Sequence, residues 1–201
     1  TKDTILNSRF GFNNAVEMGK MTQDDVDKAM SLLSYTTDVN DLKDCDLIIE
    51  AIGGGADGAI ENKPLKLKVW EEMDQVVKPE AAFASNTSMF TIADLAAVTN
   101  RKNRFIGMHL FSPANIMKLV EVTSTADTDK DLEDVIVELS ESWGKTAIRL
   151  KDVPGDTGFI GNRIMAAVRK EAMKLIEEGV GTPEDVNTAM TLGFRWPAGP
   201  F

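Results

Sequence analysis

The chain of 201 residues holds one cysteine (Cys45), one histidine (His109) and one tyrosine. A lone cysteine excludes an internal disulfide and a cysteine-rich zinc site, and it fits a reducing compartment; no metal site is expected. Basic residues are scarce: 22 Lys and Arg stand against 32 Asp and Glu, a formal charge of −10. With no basic stripe to neutralise phosphates, a nucleic-acid groove is excluded, although locally placed lysines still suit an anionic substrate. No apolar run reaches the ~18 residues of a membrane span and no signal peptide opens the sequence, so a soluble, cytoplasmic protein is expected. What is present is ordinary for a globular chain, 43% hydrophobic and 27% charged, with length for one large core or two small ones.

Residues 46–64, "DLIIEAIGGGADGAIENKP", contain the spelling G-x-G-x-x-G at Gly53, Gly55 and Gly58 behind an apolar strand. In a dinucleotide fingerprint the third glycine opens the helix that carries the pyrophosphate. Pro64 opposes that reading, because inside a helix begun near Gly55 it costs roughly 3 kcal/mol. It fits near the first position of a helix starting around Asn62 or Lys63, which leaves the glycines in a loop. A backbone nest for a phosphate is the remaining use of that loop.

Spacing of apolar residues predicts helices over 4–19 and 22–33, the second capped by Thr22. Short, continuous apolar strands follow at 46–52, expected to be covered on both faces, and at 81–85. Three more strands are expected at 104–111, 118–123 and 146–152. Helices are expected at 64–77, 91–99 and 129–144 between them. The alternation predicts an α/β fold with a doubly wound, mainly parallel sheet of Rossmann type over residues 1–153. From 154 to 201 the texture is helical, with a long helix over 159–179 ending near Gly179 and another over 182–193 capped by Thr182 with Pro183 behind it, the start of an all-α domain.

His109, in "FIGMHLFSP", stands near a strand end, where ligands bind in open α/β sheets. The plain alternative is an imidazole that packs in the core or caps the strand. Glu121, twelve residues on in "KLVEVT", is a lone carboxylate in an apolar strand and needs a partner if buried. A carboxylate on one imidazole nitrogen fixes the tautomer and raises the basicity of the other, a dyad suited to taking a proton from a hydroxyl. The other possibility is an exposed strand face. "SNTS", residues 85–88, offers hydroxyls and an amide at another strand end, for a substrate oxygen, a nicotinamide amide or simply a turn. Asn162, in the first turn of the long helix, is a further polar candidate.

Together, "IIEAI", "IEN", "ASNTS", "GMHLFSPANIMKLVEV", "GFIGNR" and "GFRWPAGPF" resemble the L-3-hydroxyacyl-CoA dehydrogenases of fatty-acid β-oxidation over nearly the whole chain. The resemblance implies an NAD-dependent enzyme acting on an acyl-CoA thioester, with His109 as general base and Glu121 orienting it. It implies that Ser88 touches substrate and cofactor, that Asn162 lies close to the substrate, and that Glu61, Lys66 and Ser112 belong to the cofactor side. Ser112 stands where many members carry asparagine. It implies a glycine fingerprint and ribose-binding acid on strands preceding Thr1, and further C-terminal helices that form a homodimer. Residues 53–59 and 156–158 then read as inserted loops, cheap at a surface because doubling a loop costs only about 0.6 kcal/mol. A related dehydrogenase of a free hydroxy acid, and a non-catalytic descendant of the fold, are the competing readings.

Overall fold

The computed structural model describes residues 2–53, 61–153 and 158–201. Gly55, Gly58 and two of the three residues of the second expected insertion, Asp156 and Thr157, lie outside them. Five strands form one sheet in sequence order: β1 (Leu47–Glu50), β2 (Ala82–Ser85), β3 (Phe105–Leu110), β4 (Leu119–Ser124) and β5 (Thr146–Lys151). Every pairing is parallel except β3 with β4. Chain length dictates the exception. The parallel pairs are joined through helices α4 (Lys63–Val76), α5 (Ile92–Ala96) and α6 (Lys130–Ser142). Only residues 111–118 join β3 to β4, too few for a parallel crossover of a dozen or so. The architecture is the expected Rossmann-like α/β sheet with one antiparallel step.

Alternation along the strands gives the sheet two buried faces. Phe83 and Phe105 point to α4, where each ring lies 4.8 Å from fully buried Trp70. On the other face Ala82, Ala84, Ile106, Met108, Val120 and Val122 pack against Leu132, Ile136 and Val137 of α6. Each large apolar side chain so covered contributes about 1.5–3 kcal/mol. Gly107 allows α5 to approach: a Cβ there would stand 2.8 Å from Ile92 Cδ1 and 3.0 Å from Thr123 Cβ. Arg101 closes the end of α4, donating to the carbonyls of Lys78, Val77 and Asp74 and to the Asp74 carboxylate, with its guanidinium 4.4 Å from the Phe83 ring centre. Lys145 donates to the carbonyls of Ala114 and Met117 and so pins the β3–β4 connection.

Several elements differ from their sequence expectation. The helix over 4–19 is two short helices, α1 (Lys2–Asn7) and α2 (Phe12–Glu17). Between them the backbone folds so tightly that a Cβ at Gly11 would lie 2.6 Å from the Leu6 carbonyl oxygen. The next, α3 (Gln23–Ser31), keeps its Thr22 cap as a reciprocal box with Asp25. α5 stops at Ala96 because the Thr99 amide and hydroxyl both turn back onto the Ala96 carbonyl. β1 is not covered on both faces. Ile49 is 38% exposed on this edge strand of the described sheet. α4 does begin as expected, with Asn62 accepting from the Leu65 amide and Pro64 in its first turn.

Residues 1–87 and 92–152 form one compact unit, and residues 88–91 with 153–201 form a second. The second unit is helical: α7 (Ile160–Glu177) ends before Gly179 at φ +73°, and α8 (Pro183–Thr188) is capped by Thr182. The helix expected over 182–193 widens into a π-turn at Ala189–Gly193. Of α7, only Ala172 is buried.

Candidate active site

Antiparallel pairing of β3 and β4 puts His109 directly opposite Glu121. Opposed residues share a face with their Cβ atoms about 5 Å apart, so the twelve-residue spacing becomes a contact. His109 Nδ1 lies 2.7 Å from Glu121 Oε2, with side-chain exposures of 6% and 0%. An ionised carboxylate only accepts, so Nδ1 carries the hydrogen and the neutral ring keeps Nε2 as its acceptor nitrogen. Phe111 packs on the imidazole with ring centres 4.6 Å apart. Glu121 is therefore not on an exposed face, and the imidazole is buried in a pair with it rather than exposed at the strand end.

A second cluster occupies the same face of the sheet. Register runs Glu50 to Ser85 across β1–β2, then Ser85 to Gly107, then Gly107 to Thr123, and His109 and Glu121 form the next row towards the end of β3. Lys66, from the first turn of α4, is 1% exposed and reaches into this row. Its Nζ lies 2.6 Å from Glu50 Oε1, 2.9 Å from the Ile52 carbonyl oxygen and 3.3 Å from Glu61 Oε2. Glu50 also accepts from the Ile52 amide at 2.6 Å and from Ser85 Oγ at 2.7 Å. Sequence reasoning named Glu61 and Lys66, and Ser85 within the 85–88 cluster, but missed Glu50 beneath them.

The polar cluster at 85–88 divides. Ser85 is bonded to Glu50, and Asn86 is a strand tie whose amide donates to the Glu50 carbonyl and whose Oδ1 accepts from the Leu110 amide at 2.7 Å. Ser88 belongs to the helical unit with Asn162. There Gly158, at φ +83°, sits so close that a Cβ would meet the Ser88 carbonyl oxygen at 2.8 Å and Asn162 Cβ at 3.3 Å. The structure thus brings Ser88 and Asn162 to one glycine. Ser112 is exposed on the β3–β4 connection. Among the described residues no group of three or more His, Cys, Asp or Glu side chains could hold a metal ion.

The donor set also bears on a dinucleotide. Glu61, 7% exposed at its side chain and beside α4, is an acceptor suited to ribose hydroxyls. The α4 N-terminus is less suited to a pyrophosphate, because Asn62 already caps it and Pro64 lacks an N–H.

Residues 3–153 match the family model described as "3-hydroxyacyl-CoA dehydrogenase, NAD binding domain", and residues 158–201 match its "C-terminal domain" counterpart. The chain is 38% identical over 184 residues to a probable 3-hydroxybutyryl-CoA dehydrogenase of Deinococcus radiodurans, covering 92% of this chain and 62% of that protein. It is 35% identical over 211 residues to the mitochondrial hydroxyacyl-coenzyme A dehydrogenase of Sus scrofa, covering 100% and 64%. The crystal structure of (S)-3-hydroxybutyryl-CoA dehydrogenase from Ralstonia eutropha superposes with a TM-score of 0.85 at 37% identity, over 94% of this chain and 63% of that one. The chain therefore spans a little under two thirds of the length of these relatives. Two matched family models and a shared fold at this identity establish that the protein belongs to the 3-hydroxyacyl-CoA dehydrogenase family.

Proposed function

We propose that the protein oxidises (S)-3-hydroxyacyl-CoA thioesters to 3-ketoacyl-CoA with NAD, His109 acting as general base and Glu121 orienting it. The observation that carries this reading is the 2.7 Å contact of a fully buried carboxylate with His109 Nδ1. It leaves Nε2 to take the 3-hydroxyl proton, and Glu121 faces the imidazolium that results. A hydrogen bond to a charged group is worth about 1.5–3 kcal/mol, and burial keeps water from screening it. NAD, when bound, supplies the hydride acceptor for C3. Glu61 accepts from the nicotinamide ribose and Lys66 belongs to the same edge. Ser88 and Ser112 as cofactor contacts, and Ser88 and Asn162 as substrate contacts, rest on the family resemblance.

The wider setting is part of the same proposal: a role in fatty-acid β-oxidation, a cytoplasmic location and a homodimer through the C-terminal domain. Ile164, Met173, Val180 and Phe194 of the helical unit are each more than half exposed, at 58%, 54%, 69% and 73%, which favours a covering partner surface. Among the described residues no helix is long and apolar enough to cross a membrane.

The test is NADH consumption by the full-length protein with acetoacetyl-CoA and, separately, with free acetoacetate. Turnover of the thioester is expected. Turnover of the free acid alone refutes the CoA assignment in favour of a hydroxy-acid dehydrogenase, and tight NADH binding without turnover of either marks a non-catalytic descendant.

A further inference from the structure

The terminal torsion of a histidine is broad, so a hydrogen bond at one ring nitrogen anchors an imidazole without setting the angle of its plane. For His109 that anchor is Glu121, 2.7 Å from Nδ1. A second constraint comes from Phe111, which follows just past the end of β3. In extended backbone, residues i and i+2 point to one face, and the two rings meet with centres 4.6 Å apart at an interplanar angle of 44°. The chain that carries both rings is tied down on either side. Asn86 Oδ1 accepts from the Leu110 amide between them, and Lys145 holds the connection beyond Phe111 through the Ala114 and Met117 carbonyls.

We infer, on the reading of His109 as general base, that Phe111 is a positioning residue for it, an aromatic clamp that sets the plane of the imidazole against the Glu121 anchor and favours the charged ring formed by proton transfer. Before transfer, the phenyl ring limits the swing of the imidazole about its anchored nitrogen and so aims Nε2. After transfer, the imidazolium stands inside the roughly 6 Å range over which an aromatic ring attracts a cation. The His109 side chain is 6% exposed, so little water competes with that attraction. An aliphatic side chain would fill much of the same space but would bring no π-system to the charged ring.

The test is the single-turnover rate of NADH formation from (S)-3-hydroxybutyryl-CoA and saturating NAD in the full-length protein, with KM for the thioester, NADH affinity and thermal denaturation measured alongside. The variants are Phe111→Leu, Phe111→Tyr, His109→Gln and the double variant of Phe111→Leu with His109→Gln. Phe111→Leu is expected to slow the rate about three- to tenfold, the scale of one aromatic contact to a cationic ring, with KM and NADH affinity within about twofold of wild type. Phe111→Tyr keeps the ring and should restore the rate to within about twofold. In the His109→Gln background Phe111→Leu should slow the reaction no further, because it acts through the imidazole.

An unchanged rate in Phe111→Leu overturns the inference, as does a tyrosine variant as slow as the leucine one. A loss that appears in KM or NADH affinity instead of the rate shows Phe111 touching a ligand directly, and an additive loss in the double variant shows an effect independent of the imidazole; each also overturns it. A leucine variant without a cooperative melting transition has lost its fold, and Phe111→Met, unbranched and apolar, then carries the same comparison with the same refuting outcomes. His109→Gln at a near wild-type rate refutes the general base itself, a result distinct from a slow His109→Gln beside an unaffected Phe111→Leu, which refutes the clamp alone.

Discussion

Replacing Glu121 with glutamine separates the charge of this residue from its shape. Glu121 is fully buried between Val120 and Val122 on β4, and its Oε2 lies 2.7 Å from His109 Nδ1. Glutamine fills the same space and keeps an oxygen for the Nδ1 hydrogen, but it presents no negative charge to the imidazolium formed when the substrate proton arrives. The loss is the difference between a charge-assisted and a neutral hydrogen bond, about 1–1.5 kcal/mol in the transition state, or roughly a five- to tenfold fall in kcat. Folding responds in the opposite sense, because the variant removes a charge from a dry site; its melting temperature should be held or raised. The assay is steady-state oxidation of (S)-3-hydroxybutyryl-CoA by NAD in the full-length protein, with thermal denaturation in parallel. A kcat within about twofold of wild type refutes the orienting role, given the stated size of the bond. A melting temperature that collapses with the rate refutes the separation of charge from packing.

Two further predictions concern the scaffold. Asp74 on α4 is 5% exposed at its side chain and receives bonds from the Asn100 amide, Asn100 Nδ2 and Arg101 Nε. Burial pushes its carboxyl up, but those bonds outweigh it and hold the group below the usual carboxylate range. The stabilisation is therefore complete above that range and is lost as pH falls through the lower folded value. Asp74→Asn should cost roughly 2 kcal/mol in urea unfolding at neutral pH, with the gap to wild type closing in strong acid; an equal gap at both refutes the assignment. Gly107→Ala pushes a Cβ to 2.8 Å from fully buried Ile92, so about 1–3 kcal/mol of overpacking is expected by chemical denaturation. With Ile92→Ala, which removes both close side-chain carbons, the double variant should lose less than the sum of the two single variants, and additive losses would count against the contact.

The strands were legible because buried parallel strands are spelled as short β-branched and aromatic runs, and "DLIIEAI", "AAFAS" and "RFIGMHLF" each became one. His109 and Glu121 were legible for a different reason: each is an ionisable residue in an apolar run, where burial demands a partner. The same rule applies to Glu50 in "LIIEAI", yet its partners come from a helix and from the next strand, and neither Lys66 nor Ser85 carries any local sign of the pairing. Chain reversal between β3 and β4 could be deduced from the short connection of residues 111–118. The break in the helix over 4–19 could not, because the spacing of its apolar residues continues through "SRFGF" and only the close approach at Gly11 shows the fold-back. Asn86 also ties the strand ends together through Oδ1, a use that the composition of the 85–88 cluster does not spell, since a strand-end amide left without a ladder partner recruits the nearest polar side chain.

The most direct measurement is the initial rate of NAD-dependent (S)-3-hydroxybutyryl-CoA oxidation by His109→Gln in the full-length protein, with NADH affinity measured on the same sample. Loss of the base predicts a fall of about a hundred- to ten-thousandfold in kcat with cofactor binding intact. A rate within about threefold of wild type, against the hundredfold or more that a general base contributes, would contradict the assignment of His109 as the proton acceptor.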